Sequence, residues 1–217
     1  MTDSLANYYK QERAVLNSFI PMGKHSILDV GCAAGYFGES LKVENKAEIV
    51  FGIEGFETAA AEARKRLDTV ELADLERLNF ESLKAEWQGK NFDYIVFGDV
   101  LEHLRDPWSV LASSKCMLKD DGRIIISLPN VRHWSVIVPL LFKGVWNYAP
   151  QGILDKTHFR FFTKSTAQEL VESCSLVVEY ANVPIEGIRS RILSKISMGL
   201  LDEFLGVQIS VVAKKNN

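Results

Sequence analysis

A chain of 217 residues is long enough for one domain with a sizeable core, and its 47% hydrophobic and 24% charged content is that of an ordinary globular protein. A formal net charge of −3 offers no basic surface, which disfavours nucleic acid as the main partner.

Residues 3–20 set Leu5, Tyr8, Tyr9, Val15, Leu16 and Phe19 at roughly helical spacing. Pro21 and Gly23 end the pattern, so an N-terminal helix is expected within residues 1–22. Next comes a short apolar run ending at Asp29 and Val30. Gly31-Cys32-Ala33-Ala34-Gly35 follows, and a helix-like pattern runs from Phe37 to about Val43. This reads as strand, tight turn and helix, a turn in which glycine lets a ligand lie against bare backbone. The dinucleotide fingerprint G-x-G-x-x-G fits poorly, because Ala33 and Tyr36 stand where its second and third glycines belong. Asp29 places a carboxylate beside the ligand, which suits a cationic or amine-bearing cofactor and repels a pyrophosphate.

This Asp-Val-Gly-Cys-Ala-Ala-Gly run resembles motif I of the class I S-adenosylmethionine-dependent methyltransferases. The usual family form is acidic-x-Gly-x-Gly-x-Gly, and Ala33 departs from it by one methyl. The resemblance implies S-adenosyl-L-methionine as cofactor, bound around Asp29, Gly31, Cys32, Ala33 and Gly35. In such a turn Cys32 reads as a small apolar filler rather than a nucleophile.

Residues 47–53 form a second strand ending at Glu54, about 20 residues past the turn, where an α/β nucleotide fold places its ribose acid. Two carboxylate oxygens can accept from both ribose hydroxyls. Residues 58–67 favour helix. A third strand over 69–73 ends at Asp74, which the family resemblance assigns to the adenine amino group, with Leu75 beside it; a helix cap is the competing role. A fourth strand ends at Gly98, followed by Asp99-Val100-Leu101-Glu102-His103, a polar cluster at a strand's C-terminal end. That run resembles motif IV of the same family and adds Asp99 to the cofactor set. Asp106-Pro107-Trp108 opens the next helix, and residues 118–128 form the fifth strand. Two late strands are expected at 177–183 and 207–213, with a basic-to-acidic amphipathic helix at 188–204 between them. The fold class is therefore α/β, and the resemblance implies a Rossmann-like, mostly parallel seven-stranded sheet with helices on both faces. One methyltransferase domain spanning 1–217 is expected.

Residues 129–163 break the alternation and crowd aromatics, histidines and arginines together. They are expected to form a small acceptor-side cap after the fifth strand. The Pro129-Asn130-Val131-Arg132-His133 run and the run from Leu154-Asp155-Lys156-Thr157-His158 to Thr163 resemble a methyltransferase subgroup of bacterial polysaccharide gene clusters. The expected reaction is methylation of a hydroxyl on a small molecule or a sugar or glycan precursor. A hydroxyl acceptor benefits from a base, for which His158 comes first, then His103, then Asp155; Arg160 would orient a polar or anionic acceptor. No metal is expected. The competing reading has Asp99, Glu102 and His103 hold one, as a similarly spaced run does in quinone-pathway O-methyltransferases. The rival functions are a non-catalytic S-adenosylmethionine-binding partner subunit and a nicotinamide-dependent oxidoreductase, the latter disfavoured by Tyr36 and Asp29.

Cys32, Cys116 and Cys174 are odd in number and widely spaced, consistent with free thiols in a reducing compartment. No signal-peptide core and no apolar run of ~18 residues is evident. A cytoplasmic protein without a membrane span, with a homodimer as the assembly considered, is the expectation.

Overall fold

The computed structural model describes residues 14–185 and 187–216. Its frame is a seven-stranded sheet of order β3-β2-β1-β4-β5-β7-β6. The strands are β1 (His25–Val30), β2 (Ala47–Glu54), β3 (Thr69–Leu72), β4 (Phe92–Gly98), β5 (Leu118–Pro129), β6 (Leu176–Asn182) and β7 (Gln208–Lys215). Strands β1 to β5 pair in parallel, and β7 inserts antiparallel between β5 and β6.

Strands β1 and β4 and the second half of β5, at the centre of the sheet, read as near-continuous apolar runs because helices cover both of its faces. Leu28, Ile95, Phe97, Ile124 and Ile126 enter one core cluster. Their neighbours Ile27, Val96 and Ile125 enter a second, with Phe37 and Leu41. The alternation is the two-residue period of a strand, with both sides apolar.

The helices are α1 (Tyr36–Val43), α2 (Glu57–Ala63), α3 (Phe80–Glu86), α4 (Pro107–Ser114), α5 (Trp134–Lys143), α6 (Lys164–Ser173), α7 (Ile188–Ile196) and α8 (Asp202–Leu205). Asp106 caps α4 through Ser109 N–H, with Pro107 in the first turn, where its missing N–H costs nothing. Thr163 and Thr166 close a reciprocal capping box on α6.

Two sequence expectations change, and a third lies largely outside the described residues. The helix expected over 188–204 is two helices, α7 and α8, because Met198 (φ 50°) and Gly199 (φ 83°) take the left-handed conformation between them. The helix expected over 58–67 stops at Ala63, and residues 64–67 continue as a turn. Of the N-terminal helix, residues 3–13 lie outside the described residues, whereas 14–18 are helical. Within 129–163, α5 is the sole regular element; an isolated bridge joins Asn130 to Phe162 and another joins Ala149 to Asp155. No helix among the described residues is long and apolar enough to cross a membrane.

Candidate active site

The sheet order changes direction between β1 and β4, and their C-terminal ends open a crevice where α/β sheets bind ligands. A cavity of about 200 Å³ lies there, lined by Asp29 and the β1 turn on one side and by Gly98, Asp99 and His103 on the other. Leu16, from the helical turn at 14–18, also lines it. A wider depression of about 740 Å³ lies between α3 and α4, but it touches no strand end that carries the motifs. Volume alone therefore does not pick the site.

The cofactor side is shaped by backbone. Gly31 (φ 73°), Ala33 (φ 47°) and Gly35 (φ 81°) all take left-handed conformations. Ala33 does so at the position where the methyltransferase motif has glycine, a conformation that costs a residue with a Cβ on the order of 1 kcal/mol or more. The turn is tied to β2 by the Gly31 and Cys32 N–H groups, both donating to Ile53 O at 2.8 and 3.1 Å. Glu54 completes the tie, accepting from Ala33 N at 2.8 Å and from Phe56 N at 3.0 Å. Its buried carboxylate oxygens each keep a lone pair for a further donor such as a ribose hydroxyl. Asp29 is also buried, at 5% exposure, and lines the cavity. Burial, then the charges of Asp29 and Glu54, push the Cys32 thiol far up, so it stays protonated. The Cys32 sulfur occupies the space that a side chain at Gly52 would need. Two buried acids around a left-handed turn suit a ligand bearing a sulfonium, an ammonium and ribose hydroxyls, which is the donor set that S-adenosylmethionine offers.

Asp99 sits at φ 56°, a left-handed residue in the strand-end crevice. Its Oδ1 accepts from Gln208 Nε2 at 2.9 Å and from Ser127 Oγ at 3.4 Å. Asp74 is different. Its Oδ1 accepts from Glu76 N at 3.0 Å and its side chain is 59% exposed beside Arg77. Asp74 thus caps a turn, and Leu75 beside it packs partly into the core; neither lines the cavity described above.

The segment expected from sequence to form the acceptor-side cap is stitched to the residues after β4. A short 3-10 turn, Leu101–His103, carries Glu102, whose carbonyl accepts from Phe159 N at 2.8 Å and Arg160 N at 3.1 Å. This joins the cap to the sheet and brings His103 and His158 into edge-on contact, with centroids 4.7 Å apart. His103 Nδ1 faces Thr157 Oγ1 at 3.1 Å and Thr157 O at 3.3 Å. The Thr157 hydroxyl donates to Asp155 Oδ1 at 2.7 Å, and Thr157 N donates to the same oxygen at 2.8 Å. That hydroxyl has one hydrogen, already given to Asp155, and a carbonyl only accepts. His103 Nδ1 must therefore carry the proton, which leaves Nε2 with the lone pair. His158 Nδ1 faces Ile153 O at 3.0 Å and is fixed in the same tautomer.

Burial, followed by the neighbouring His158, holds the His103 pKa below the ordinary histidine value. Burial works to raise the Asp155 pKa, but the two Thr157 hydrogen bonds outweigh it, so Asp155 remains a carboxylate. Arg160 is turned elsewhere. Its Nε donates to Arg105 O at 3.0 Å and its guanidinium lies 5.5 Å from the Trp108 ring. Among the described residues, Glu102, His103 and His158 offer ligand atoms within 4.8 Å of one another. This set replaces Asp99 with a cap histidine relative to the trio weighed from sequence.

The structure thus brings Asp29, Gly31, Cys32, Ala33, Asp99 and His103 to one cavity, and sets Asp155 and His158 behind His103. Sequence reading missed Thr157 and Gln208 as site residues. Thr157 stood inside a run singled out as a mark, but nothing local showed that its hydroxyl faces His103.

A model of the methyltransferase domain family matches residues 6–180. The ubiquinone biosynthesis O-methyltransferase of Pasteurella multocida is 32% identical over 144 residues, covering 61% of this chain and 58% of that protein. Its counterpart from Idiomarina loihiensis is 28% identical over 153 residues, covering 69% and 60%. The chain thus spans less than two thirds of the length of these curated relatives. Among solved structures, magnesium protoporphyrin IX methyltransferase of Synechocystis, with bound S-adenosylhomocysteine, aligns over 100% of this chain and 89% of that one, with a TM-score of 0.66 at 12% identity. A methyltransferase from Archaeoglobus fulgidus aligns over 95% and 94%, with a TM-score of 0.63 at 19% identity. At these identities the likeness establishes the fold.

Proposed function

Because the chain belongs to the methyltransferase domain family, with S-adenosylmethionine as cofactor, we propose that it methylates a hydroxyl group of a small acceptor, using His103 as the base. The observation that carries this reading is the His103 geometry. An imidazole with a lowered pKa lines the cavity, and the commitment of Nδ1–H to Thr157 leaves Nε2 as its proton acceptor.

Bound S-adenosylmethionine supplies a methyl group already activated on a sulfonium, so the protein's tasks are alignment and proton removal. Asp29 and Glu54 hold the amine and ribose ends, and the left-handed turn keeps side chains out of the way. His103 Nε2 takes the acceptor hydroxyl proton, a contribution of typically ~10²–10⁴ in rate. Asp155 and Thr157 set the His103 tautomer and steady the charge it acquires. His158 packs edge-on against His103 and is the second candidate base. Arg160 orients an acceptor only through donors that Arg105 O leaves free.

The O-methyltransferase names of the curated relatives support a hydroxyl acceptor. The resemblance to methyltransferases of polysaccharide gene clusters makes nucleotide sugars the other acceptor class to try. A cytoplasmic location and a homodimer belong to the same proposal. The test is transfer of labelled methyl from S-adenosylmethionine to a panel of catechols, nucleotide sugars and primary amines. Product on a hydroxyl acceptor supports the reading. Product on amines alone overturns it, and turnover on none beside tight cofactor binding would favour the non-catalytic subunit.

The Glu102, His103 and His158 trio favours one second reading, a divalent cation that lowers the hydroxyl pKa. Full activity after exhaustive chelation would remove it.

A further inference from the structure

The connection from β6 to β7 carries a surface outside the lining of the active-site cavity. Helix α7 has no buried residue. Ile188, Ile192 and Ile196 recur every fourth residue and so share one stripe, with exposures of 78%, 52% and 74%. Leu193 widens the stripe, and Met198 and Leu200 extend it past the helix end at 88% and 80% exposure. An apolar stripe of this kind ordinarily faces a core; here it faces outward.

The charges on α7 itself are of one sign, and the acids that follow, Asp202 and Glu203, open α8, where Arg132 and Lys164 pair with Glu203. Residues 187–201 contain Arg189, Arg191 and Lys195 and no aspartate or glutamate. At about 100° per residue, Arg191 and Lys195 flank the stripe on one side and Arg189 lies on the other. A short helix with an apolar face and a cationic border, too short to span a bilayer, matches an element lying in a membrane interface.

Topology sets where this surface sits. Strand β7 is antiparallel to both β5 and β6, so the β6–β7 connection lies at the C-terminal end of β5, the end that holds the active site. The chain after α7 is fastened there. Asn130 Nδ2 donates to Glu203 O at 2.7 Å and Gly206 O at 2.8 Å. The Arg132 guanidinium pairs with Glu203 and lies 4.6 Å from the Phe204 ring. Helix α5 begins just beyond this clamp. It exposes Leu141 at 73% and Phe142 at 76%, ends in Lys143, and likewise contains no acid.

We propose that α7, assisted by the exposed apolar residues of α5, seats this protein on an anionic lipid surface with its active-site end toward the bilayer. Charge complementarity selects that occupant. Three cations with no intervening acid match a continuous sheet of anionic headgroups, and the apolar stripe enters the headgroup boundary. The proposal is independent of the acceptor.

The test is sedimentation of the full chain with vesicles of phosphatidylcholine alone or mixed with phosphatidylglycerol. Binding to the mixed vesicles is expected, weakening as salt rises. Arg191→Gln and Lys195→Gln should each lower partitioning about fivefold. Ile192→Ser with Ile196→Ser should weaken binding at every salt concentration. All these variants should keep wild-type S-adenosylmethionine affinity and stay close to the wild-type melting temperature, because α7 lies outside the cavity lining and has no fully buried residue. Absence of binding to anionic vesicles by the folded, cofactor-binding protein would overturn the proposal. So would a dimer in solution that Ile192→Ser dissociates, since the stripe would then belong to a second copy.

Discussion

On the cofactor side, the ends of β1 and β2 are locked to one turn by backbone hydrogen bonds, and its shape resides in three left-handed residues. On the acceptor side, no strand or helix holds Asp155, Thr157 or His158. They are placed by two N–H groups donating to Glu102 O and by a chain of side-chain contacts ending at His103. The first side is a property of the fold, with little freedom to vary. The second is a property of particular side chains on an irregular segment, where specificity can change without disturbing the sheet.

The largest expected effect separates the two sides by chemistry. His103→Ala should slow methyl transfer to a hydroxyl acceptor by about 10²–10⁴, while calorimetric affinity for S-adenosylmethionine stays nearly unchanged. An equal loss in both would place His103 in cofactor binding instead. Next in size is Glu54→Ala, which removes a carboxylate that orders the turn and to which the proposal gives the ribose. Cofactor affinity should fall roughly 10- to 100-fold, as expected for a charge-assisted hydrogen bond. The melting temperature should fall too, because Ala33 N and Phe56 N lose their acceptor. Unchanged affinity would leave Glu54 as a purely structural tie.

Thr157→Val should cost about tenfold in turnover at constant cofactor affinity, with Thr157→Ser close to wild type. Equal loss in both variants would show that the hydroxyl does not position His103. The smallest effect is on pH. The His103 proton leaves below the ordinary histidine value, so the base is already free at neutrality and activity falls only on acidification below that value. The Asp155 charge raises the His103 pKa, so Asp155→Asn should shift the acid limb of the rate profile further down. A shift upward would contradict that pairing.

The same contrast explains what the sequence made legible. Strands buried on both faces appear as unbroken apolar runs, and the turn carries its own spacing, so the sheet, the β1 turn and Glu54 could be read locally. Ala33 could be located but not its left-handed backbone, since alanine does not advertise that conformation. The join of Gln208 to Asp99 spans 109 residues, and that of Thr157 to His103 spans 54. No periodicity encodes either distance, so these contacts wait on the tertiary fold. His158, first choice from sequence, and His103 turn out to be one edge-on pair, and it is His103 that lines the cavity. The split between α7 and α8 depends on Met198 and Gly199, where helical spacing of the apolar residues continued through the break.

Chemical rescue of His103→Gly tests the central claim most directly. Added imidazole should restore methyl transfer to the hydroxyl acceptor in proportion to its unprotonated fraction, with cofactor affinity unchanged throughout. Wild-type turnover in His103→Gly without imidazole, or a slow variant that imidazole fails to rescue at any pH, would contradict the assignment of His103 as the base.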